Sequence, residues 1–506
     1  MMYSAQTVRS IHLIHEGVHF QTVIQYIIKT ISRDGGSSSC DLFLVLAIKL
    51  LLEKRTGAMS HEKKKLSIYA LTWPIFIEIF LHMLMGNADT LMLSQYSDDS
   101  VAAVGVSNQV LSLIIVMFGF VATGTSILVS QNLGANKITA AREVAVVSLA
   151  ANLVFGFVLS ILIFLLNDQI LNLMDIPAEL RGEASSYLTI VGGFSFIQAL
   201  IMTAGATLRS YEFTKDAMYI TIGMNILNII GNYLFIFGPF GIPVLGVEGV
   251  SISTVVSRTL GLAAITFVLV KRIPGVFKPS RIFQVQHIKD LLRIGIPSAG
   301  EHLSYNGSQM VITYFIAVMG TEALTTKVYA QNLMMFIFLF ALAISQGTQI
   351  MIGHMVGGRD FKGAYERCIK SLKISIVISL GMAVLFALFS DQLLGIFTSN
   401  EEIIYLGSIL IWLTIILEPG RSFNLVVISS LRAAGDVKFP VYIGILSMWG
   451  VSVLLSYVLG IVFGLGLIGI WISFIADEWL RGLIMLRRWK SRIWMEKNFI
   501  GEKDSN

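Results

Sequence analysis

The sequence predicts an all-α polytopic membrane protein, with twelve transmembrane helices arranged in two six-helix lobes. The chain of 506 residues is 55% hydrophobic and only 14% charged, a balance outside the range of soluble globular proteins. Apolar runs of about 18 residues or more recur along nearly the whole chain, as helical spans require. The sequence pattern of the first half also returns in the second half, which predicts two related lobes.

Other broad classes fit the composition poorly. A transmembrane β-barrel would show short segments of alternating hydrophobicity instead of long apolar runs. The two cysteines, Cys40 and Cys368, argue against a disulfide scaffold or a cysteine-based metal site. The net charge of +5 comes from basic residues between the apolar runs, so we expect no nucleic-acid partner.

Residues 1–58 differ from the remainder of the chain. They contain a Gly/Ser patch at 35–39 and a short apolar run at 42–52 that is interrupted by Lys49. This run is too short for a confident span, and the residues before it do not resemble a signal peptide. We predict that the functional protein begins near Met59 and that residues 1–58 form a poorly ordered extension.

Twelve spans follow when about 20 residues are allowed for each crossing. The predicted spans are 66–93, 101–129, 144–166, 184–208, 217–237, 247–270, 290–319, 327–352, 367–389, 402–430, 440–463 and 466–487. Lys and Arg concentrate in alternate connections and in the tail after the last span, whereas the opposite connections hold little beyond Arg181 and Lys327. The positive-inside rule therefore places both termini in the cytoplasm, at the plasma (inner) membrane of the cell.

The internal repeat has an offset of 223 residues. Pro74 and Glu78 recur as Pro297 and Glu301 at this offset, and further matches continue without a gap to the pair Leu208-Arg209 and Leu431-Arg432. Six spans per repeat is an even number, so the two halves have the same orientation in the membrane, an arrangement typical of alternating-access transporters. The predicted parts are an N-lobe (59–270), a cytoplasmic linker (271–289), a C-lobe (290–490) and a cytoplasmic tail (491–506).

The first span carries polar residues on one side. Glu78, His82 and Asp89 lie within roughly 40° of one another on a helix. Ionisable residues in a membrane span usually face a protein interior or a water-filled path. Glu78 has the counterpart Glu301 in the second half, whereas Asp89 corresponds to Ile312.

The fifth span breaks the symmetry in the same way. Asn225, Asn228 and Asn232 fall within about 60° on one side of a helix, and their counterparts are Met448, Val451 and Leu455. Carboxylate and amide oxygens are the ligands that a hard cation such as Na⁺ prefers, and a buried carboxylate can alternatively bind a proton. The competing interpretation is that these asparagines only hydrogen-bond helices together.

Several motifs, in order and at this spacing, resemble the MATE family of multidrug and toxic compound extrusion transporters, over about residues 59–490. The fifth span is closer to the NorM-like pattern within that family. The motifs are Pro74-x₃-Glu78, Asn87-Ala88-Asp89-Thr90, Ser130-Gln131-x₂-Gly134-Ala135, Leu208-Arg209, Asn228-x₃-Asn232-Tyr233, Gly238-x₂-Gly241-x₄-Gly246-x₂-Gly249 and Leu431-Arg432-Ala433-Ala434-Gly435-Asp436.

The resemblance implies the MATE and MOP superfamily fold and the export of cationic or amphipathic compounds coupled to inward Na⁺ or H⁺ movement. It also supports an N-lobe ion site built from the Asp of span 1 and the polar residues of span 5. Some branches carry Asp at the position of Asn232, so the asparagine here removes one titratable group and leaves the coupling ion open. We therefore predict ion coupling at Asp89, Asn225, Asn228 and Asn232, with Na⁺ a candidate metal at Asp89, Asn228 and Asn232.

Four residues are predicted to line the substrate cavity: Glu78, Glu301, His82 and Tyr305. The alternative for the two glutamates is that each satisfies unpaired donors near a proline, and the alternative for His82 is a packing role. Glu418 and Arg421, on either side of Pro419-Gly420, are predicted to pair as residues three apart on a helix. This pair is either a charged element that changes partners during transport or a static ion pair.

These inferences predict a secondary active multidrug efflux transporter that is a monomer in the bilayer, with small-molecule substrates and no cofactor beyond the coupling ion. A flippase for a lipid-linked precursor, from the same superfamily, is the alternative function. A membrane-embedded enzyme is the alternative from a different class, and the two-lobe repeat and the lack of a nucleophile or metal set argue against it. The sequence contains no Walker A loop, no HExxH and no nucleophile elbow, so transport powered by ATP hydrolysis in this chain is not predicted. A channel would not need two lobes of the same orientation.

Overall fold

A computed structural model describes residues 67–277 and 285–500. The predicted extension at residues 1–58 therefore lies outside the described residues. All regular elements in the described ranges are helical: fourteen α-helices and five short π-helical or 3-10 segments. The α-helices are numbered α1 to α14. In chain order they are α1 (Ile68–Leu93), α2 (Asp98–Gly134), α3 (Ile138–Leu173), α4 (Ala178–Tyr187), α5 (Ser195–Ser210), α6 (Thr214–Phe237), α7 (Gly246–Arg272), α8 (Val285–Val318), α9 (Thr321–Gly357), α10 (Phe361–Leu388), α11 (Ser390–Gly395), α12 (Glu401–Ala433), α13 (Lys438–Ser447) and α14 (Gly466–Lys490).

Twelve membrane-spanning stretches can be assigned within these ranges. Nine helical segments are long and apolar enough to cross a membrane, and α4 and α5 form a tenth span that is bent by 43°. The two remaining long helices, α8 and α14, are more polar and occupy the places of spans 7 and 12. Their charged residues include Glu301 in α8 and Asp477, Glu478 and Arg481 in α14.

Local sequence explains where several helices begin and end. Ser97 accepts a hydrogen bond from the backbone N–H of Ser100 at the start of α2, and Asp360 and Asn400 accept equivalent bonds at the starts of α10 and α12. Such side chains satisfy backbone donors that a helix leaves free. Gly238 ends α6 in the left-handed conformation, with φ +58°, which glycine adopts without steric cost.

The eleventh span contains π-helical turns that its counterpart in the N-lobe lacks. After α13 the chain continues through π-helical segments at Met448–Val453 and Ser456–Val462. The equivalent part of the N-lobe is the α-helix α6, which carries the three asparagines. The repeat therefore preserves the number of spans while this pair of spans differs in backbone geometry.

The basic connections lie at one end of the molecule, which we call the basic end. Arg272, the last residue of α7, pairs with Asp216 of α6 at 2.6 Å, and His287 of α8 lies 3.6 Å from Glu143 of α3. At the same end, the backbone around Lys497 packs closely on Gly435. These contacts bring the start of α8 and the segment after α14 beside connections of both lobes.

The two lobes contact each other at the basic end through α2 and α9. A Cβ atom on Gly134 would lie 2.0 Å from the carbonyl oxygen of His354, and a Cβ atom on Gly357 would lie 1.9 Å from that of Gln131. Gly134 and Gly357 are separated by the repeat offset, so the crossing is symmetric. Only glycine permits two helix backbones to approach this closely.

Two reciprocal hydrogen bonds accompany the glycine crossing. The Gln131 side chain donates to the carbonyl oxygen of Ala433 at 2.7 Å, and the His354 Nε2 atom lies 2.8 Å from the carbonyl oxygen of Ser210. Position 131 corresponds to 354 and position 210 to 433 in the repeat. Each lobe thus extends one side chain to the equivalent backbone carbonyl of the other lobe.

Candidate functional site

A polar cluster joins α1, α6 and α7 inside the N-lobe. Asp89 is only 6% exposed, and its Oδ1 atom accepts a hydrogen bond from Asn232 Nδ2 at 2.5 Å. Asn232 also approaches Asn228 Oδ1 at 3.5 Å, and Asn228 donates to Thr254 Oγ1 at 3.2 Å. A buried carboxylate is therefore the terminal acceptor of a short chain of polar side chains.

The third asparagine lies apart from this chain. Asn225 donates to the backbone carbonyl of Leu81 in α1 at 3.0 Å. Its contact links α6 to α1 and does not reach Asp89. Of the four predicted ion-coupling residues, the structure brings Asp89, Asn228 and Asn232 together and places Asn225 in a helix-bridging position.

The cluster has unused oxygen acceptors. The Oδ1 atoms of Asn225 and Asn232 are buried and have no hydrogen-bond partner. Rotation of the Asn232 amide would turn Oδ1 towards Asp89, and amide orientation is assigned from hydrogen bonding. Carboxylate and amide oxygens can then serve a hard cation. In the ranges 67–277 and 285–500, no group of three or more His, Cys, Asp and Glu residues could hold a metal ion.

Arg258 of α7 is a charged neighbour of this site that sequence reasoning missed. Its guanidinium acts electrostatically on Asp89, Tyr187 and His82. Within the described ranges it forms no ion pair, and its Nε atom is buried without a hydrogen-bond partner. The signal was available, because Arg258 interrupts an apolar span and recurs at the repeat offset as Arg481.

The predicted cavity residues Glu78 and Glu301 occupy equivalent ion pairs. Arg209 lies 2.6 Å from Glu78, and Arg432 pairs with Glu301 in the same way in the C-lobe. Both pairs are largely shielded from solvent. Each glutamate is thus neutralised by an arginine of its own lobe, and its predicted contact with substrate stays a prediction.

His82 and Tyr305 occupy equivalent positions in the two lobes. His82 is partly buried and lies in the electrostatic field of Glu78, Arg209 and Arg258. The described residues provide no hydrogen bond between His82 and Glu78, so proton sharing between them stays a prediction. Tyr305 lines a cavity of the C-lobe together with Glu301.

The C-lobe has a charged network where the N-lobe has its amide cluster. Arg421 lies 2.6 Å from Glu418 and 3.8 Å from Glu478. Arg481 lies 3.0 Å from Asp477 and 3.2 Å from Glu478. The predicted Glu418–Arg421 contact is therefore one part of a larger network, and its role in transport stays a prediction.

The C-lobe counterparts of the four predicted ion-coupling residues are apolar. Ile312, which corresponds to Asp89, is fully buried in a hydrophobic cluster with Ile316 and Met334. The N-lobe and the C-lobe therefore differ in chemistry at equivalent positions of one scaffold.

Comparison with known proteins defines the class. The MatE family model matches residues 74–234 and again residues 297–458, so the two matches start at the same offset as the internal repeat. The chain therefore belongs to the MatE family of membrane transporters, and it is a transporter, not an enzyme.

Individual relatives agree with this assignment. The chain is 56% identical over 452 residues to an uncharacterized transporter, YisQ, of Bacillus subtilis, covering 89% of this chain and 99% of the relative. It is 27% identical over 433 residues to a probable multidrug resistance protein NorM of Thermotoga maritima, covering 84% of this chain and 92% of that protein.

Solved structures show the same fold. A MOP superfamily transporter from Pyrococcus furiosus aligns with a TM-score of 0.76 at 23% identity, covering 85% of this chain and 96% of that chain. The outward-facing structure of a multidrug resistance MATE family transporter also gives a TM-score of 0.76 at 23% identity, covering 84% of this chain and 95% of that chain. The two-lobe arrangement of twelve helices is thus the fold of this family.

Proposed function

We propose that the protein exports cationic or amphipathic small molecules by antiport against Na⁺ or H⁺, with Asp89 as the ion-coupling residue. One observation carries the proposal: a buried Asp89–Asn232 pair in the N-lobe whose C-lobe counterparts are Ile312 and Leu455. A buried carboxylate in a membrane span is expensive and usually functional. The names of the multidrug resistance relatives support the substrate class.

The helix that carries Asp89 connects the proposed ion site to the contact between the two lobes. Asp89 lies on α1, which packs on α6 within the N-lobe and on α9 of the C-lobe. Phe76 of α1 stacks on Phe340 of α9, with ring centroids 4.3 Å apart. An ion that changes the Asp89–Asn232 contact can therefore bias the packing of α1 against the C-lobe. Coupling requires that ion and substrate each bind the two conformations with different affinity.

Sidedness follows from charge. The basic end holds most of the Lys and Arg residues outside the spans, so we assign it to the cytoplasm, with both termini on that side. The lobes contact each other at this end. The lobe boundaries at 59–270 and 290–490, the linker at 271–289 and the tail at 491–506 stay predictions, as does the monomeric state. The helix α8 already begins at Val285, inside the predicted linker.

The test is the variant Asp89→Asn, which keeps the size of the side chain and removes its charge. Purified protein is reconstituted in vesicles, and transport of the cationic dye ethidium is followed while Na⁺ and pH gradients are imposed separately. We expect transport driven by either gradient to fall to the level of protein-free vesicles.

The matched control is Asp98→Asn, which removes an exposed carboxylate at the start of α2. This variant should transport like the parent protein. Full gradient-driven transport by Asp89→Asn at equal protein incorporation would exclude Asp89 as the coupling residue.

A further inference from the structure

The C-lobe contains a cavity of about 560 Å³, a size typical of small-molecule sites. All of its lining residues belong to α8, α9, α12 and α14. Met334, Met335, Phe338, Trp471 and Phe474 form its apolar wall. Methionine and aromatic side chains adapt to ligands of different shape.

Three arginines (Arg421, Arg432 and Arg481) and two carboxylates (Glu301 and Glu478) line this cavity. Two further carboxylates, Glu418 and Asp477, pair with these arginines from outside the lining, so the whole charged network has four carboxylates and three arginines. Each of the three arginines has a carboxylate partner of its own: Arg421 has Glu418, Arg432 has Glu301, and Arg481 has Asp477.

Glu478 is the carboxylate that remains. It lies 3.8 Å from Arg421 and 3.2 Å from Arg481 and shares both with their other partners. Asn424 donates a hydrogen bond to it. Glu478 lines the cavity, and its side chain is 16% exposed, whereas Glu418 is fully buried behind Arg421. Of the two carboxylates that line the cavity, Glu301 is paired with Arg432, and Glu478 is the one without an arginine of its own.

We propose that the C-lobe cavity binds an amphipathic organic cation, with Glu478 as the charged contact and the Met and aromatic wall as the apolar contact. This inference rests on the proposed function and adds a location to it. The aromatic rings favour a cation further through their π faces, as the Arg421 guanidinium already shows at 5.8 Å from the centre of the Phe338 ring.

The proposed site is separate from the ion site. Asp89 lies in the N-lobe, and all residues that line the cavity lie in the C-lobe. Ion and substrate therefore do not exchange on one shared carboxylate. They influence each other only through the packing of the lobes, and both can be bound at the same time.

The experiment measures equilibrium binding of tetraphenylphosphonium to the purified full-length chain in detergent. Tetraphenylborate, which has nearly the same shape and the opposite charge, is the matched probe. We expect Glu478→Gln to weaken tetraphenylphosphonium binding by about tenfold or more, the usual effect of losing a contact to a charged group.

The control variant is Glu248→Gln, an exposed N-lobe glutamate that accepts a hydrogen bond from Ser186 and should bind the probe normally. If Glu478→Gln does not fold, Met335→Trp tests the same site, because it fills the cavity from a wall position outside the charged network. Unchanged tetraphenylphosphonium binding in Glu478→Gln, or in Met335→Trp where the former does not fold, would overturn the proposal. Tighter binding of tetraphenylborate than of tetraphenylphosphonium would do the same.

The result is independent of the transport test. Gradient-driven transport by Asp89→Asn would remove the proposed coupling residue and leave the binding measurement valid. Normal probe binding by Glu478→Gln would remove the C-lobe site and leave coupling at Asp89 untouched.

Discussion

The two lobes share one helical scaffold and differ in the ion-pair partners of an equivalent arginine. Arg481 in the C-lobe contacts Asp477 and Glu478 at 3.0 and 3.2 Å. Arg258 in the N-lobe is its counterpart, and the positions equivalent to those two acids hold Thr254 and Val255. The repeat has therefore kept the cation in both lobes and kept its carboxylates in only one.

The difference shows which contacts belong to the scaffold and which belong to one lobe. The Glu78–Arg209 and Glu301–Arg432 pairs are present in both lobes, so they are best explained by a shared structural need. Asp89, Asn228 and Asn232 occur only in the N-lobe, and the network around Glu478 occurs only in the C-lobe. The polar and charged side chains with a candidate function therefore lie at positions where the two halves of the repeat differ.

Substitution of the two equivalent arginines, Arg258 and Arg481, tests the difference between the lobes with the largest expected effect. Arg481→Met should destabilise the protein by about 3–5 kcal/mol, since it strips the cation from two carboxylates that share it in the membrane interior. Arg258→Met removes a cation that has no ion-pair partner in the described residues, so we expect little loss of stability or a gain. The melting temperature of each variant in detergent, followed by size-exclusion chromatography, provides the measurement.

Equal destabilisation by the two methionine variants would contradict the difference between the lobes. Lysine at each position is the matched control, because it keeps the positive charge and changes the geometry. Arg258→Lys should behave like the parent protein, whereas Arg481→Lys should lose part of its stability because one ammonium replaces a guanidinium that reaches both acids.

Much of the fold could be predicted because residues that recur at a constant offset show where each half of the repeat begins. Pro74 and Pro297 mark the first span of each half, and the apolar runs fix the number of spans. The pairing of Glu78 with Arg209 could not be predicted, although both residues belong to repeated motifs. Their separation along the chain is 131 residues, and which helices adjoin in space is decided by packing that the sequence pattern does not specify.

Part of the candidate site could also be predicted from the internal repeat. Asp89 and the asparagines of span 5 were identified from broken symmetry, and the structure places Asn228 and Asn232 beside Asp89. Arg258 was not predicted, because both halves of the repeat have arginine at this position and the site was identified from positions where the halves differ. An arginine within an apolar span is itself a functional signal.

The shared Glu–Arg pairs provide the second test of the comparison. Arg209→Met and Arg432→Met should each cost about 2–3 kcal/mol, because each leaves a shielded carboxylate without its charged donor. The two losses should be similar, since the pairs are equivalent in position and burial. Melting temperatures of the two variants are compared directly. A large loss in one lobe only would mean that the pair has been specialised, contrary to a scaffold role.

The reciprocal bonds at the basic end provide the third and smallest test. Gln131→Ala and His354→Ala each remove one side-chain hydrogen bond between the lobes, worth about 1 kcal/mol. Gln131→Ala also removes the bond that Gln131 Oε1 accepts from the backbone N–H of Phe499 at 3.0 Å. If the bonds hold the basic end closed, each loss shifts a two-state equilibrium about fivefold towards the open state. Thiol labelling of Ser130→Cys, at the α2 and α9 crossing, reports that opening when Cys40 and Cys368 are replaced by serine. Faster labelling in both variants relative to Ser130→Cys alone is the expected result, and an unchanged rate in both would show that these two hydrogen bonds do not keep the basic end closed.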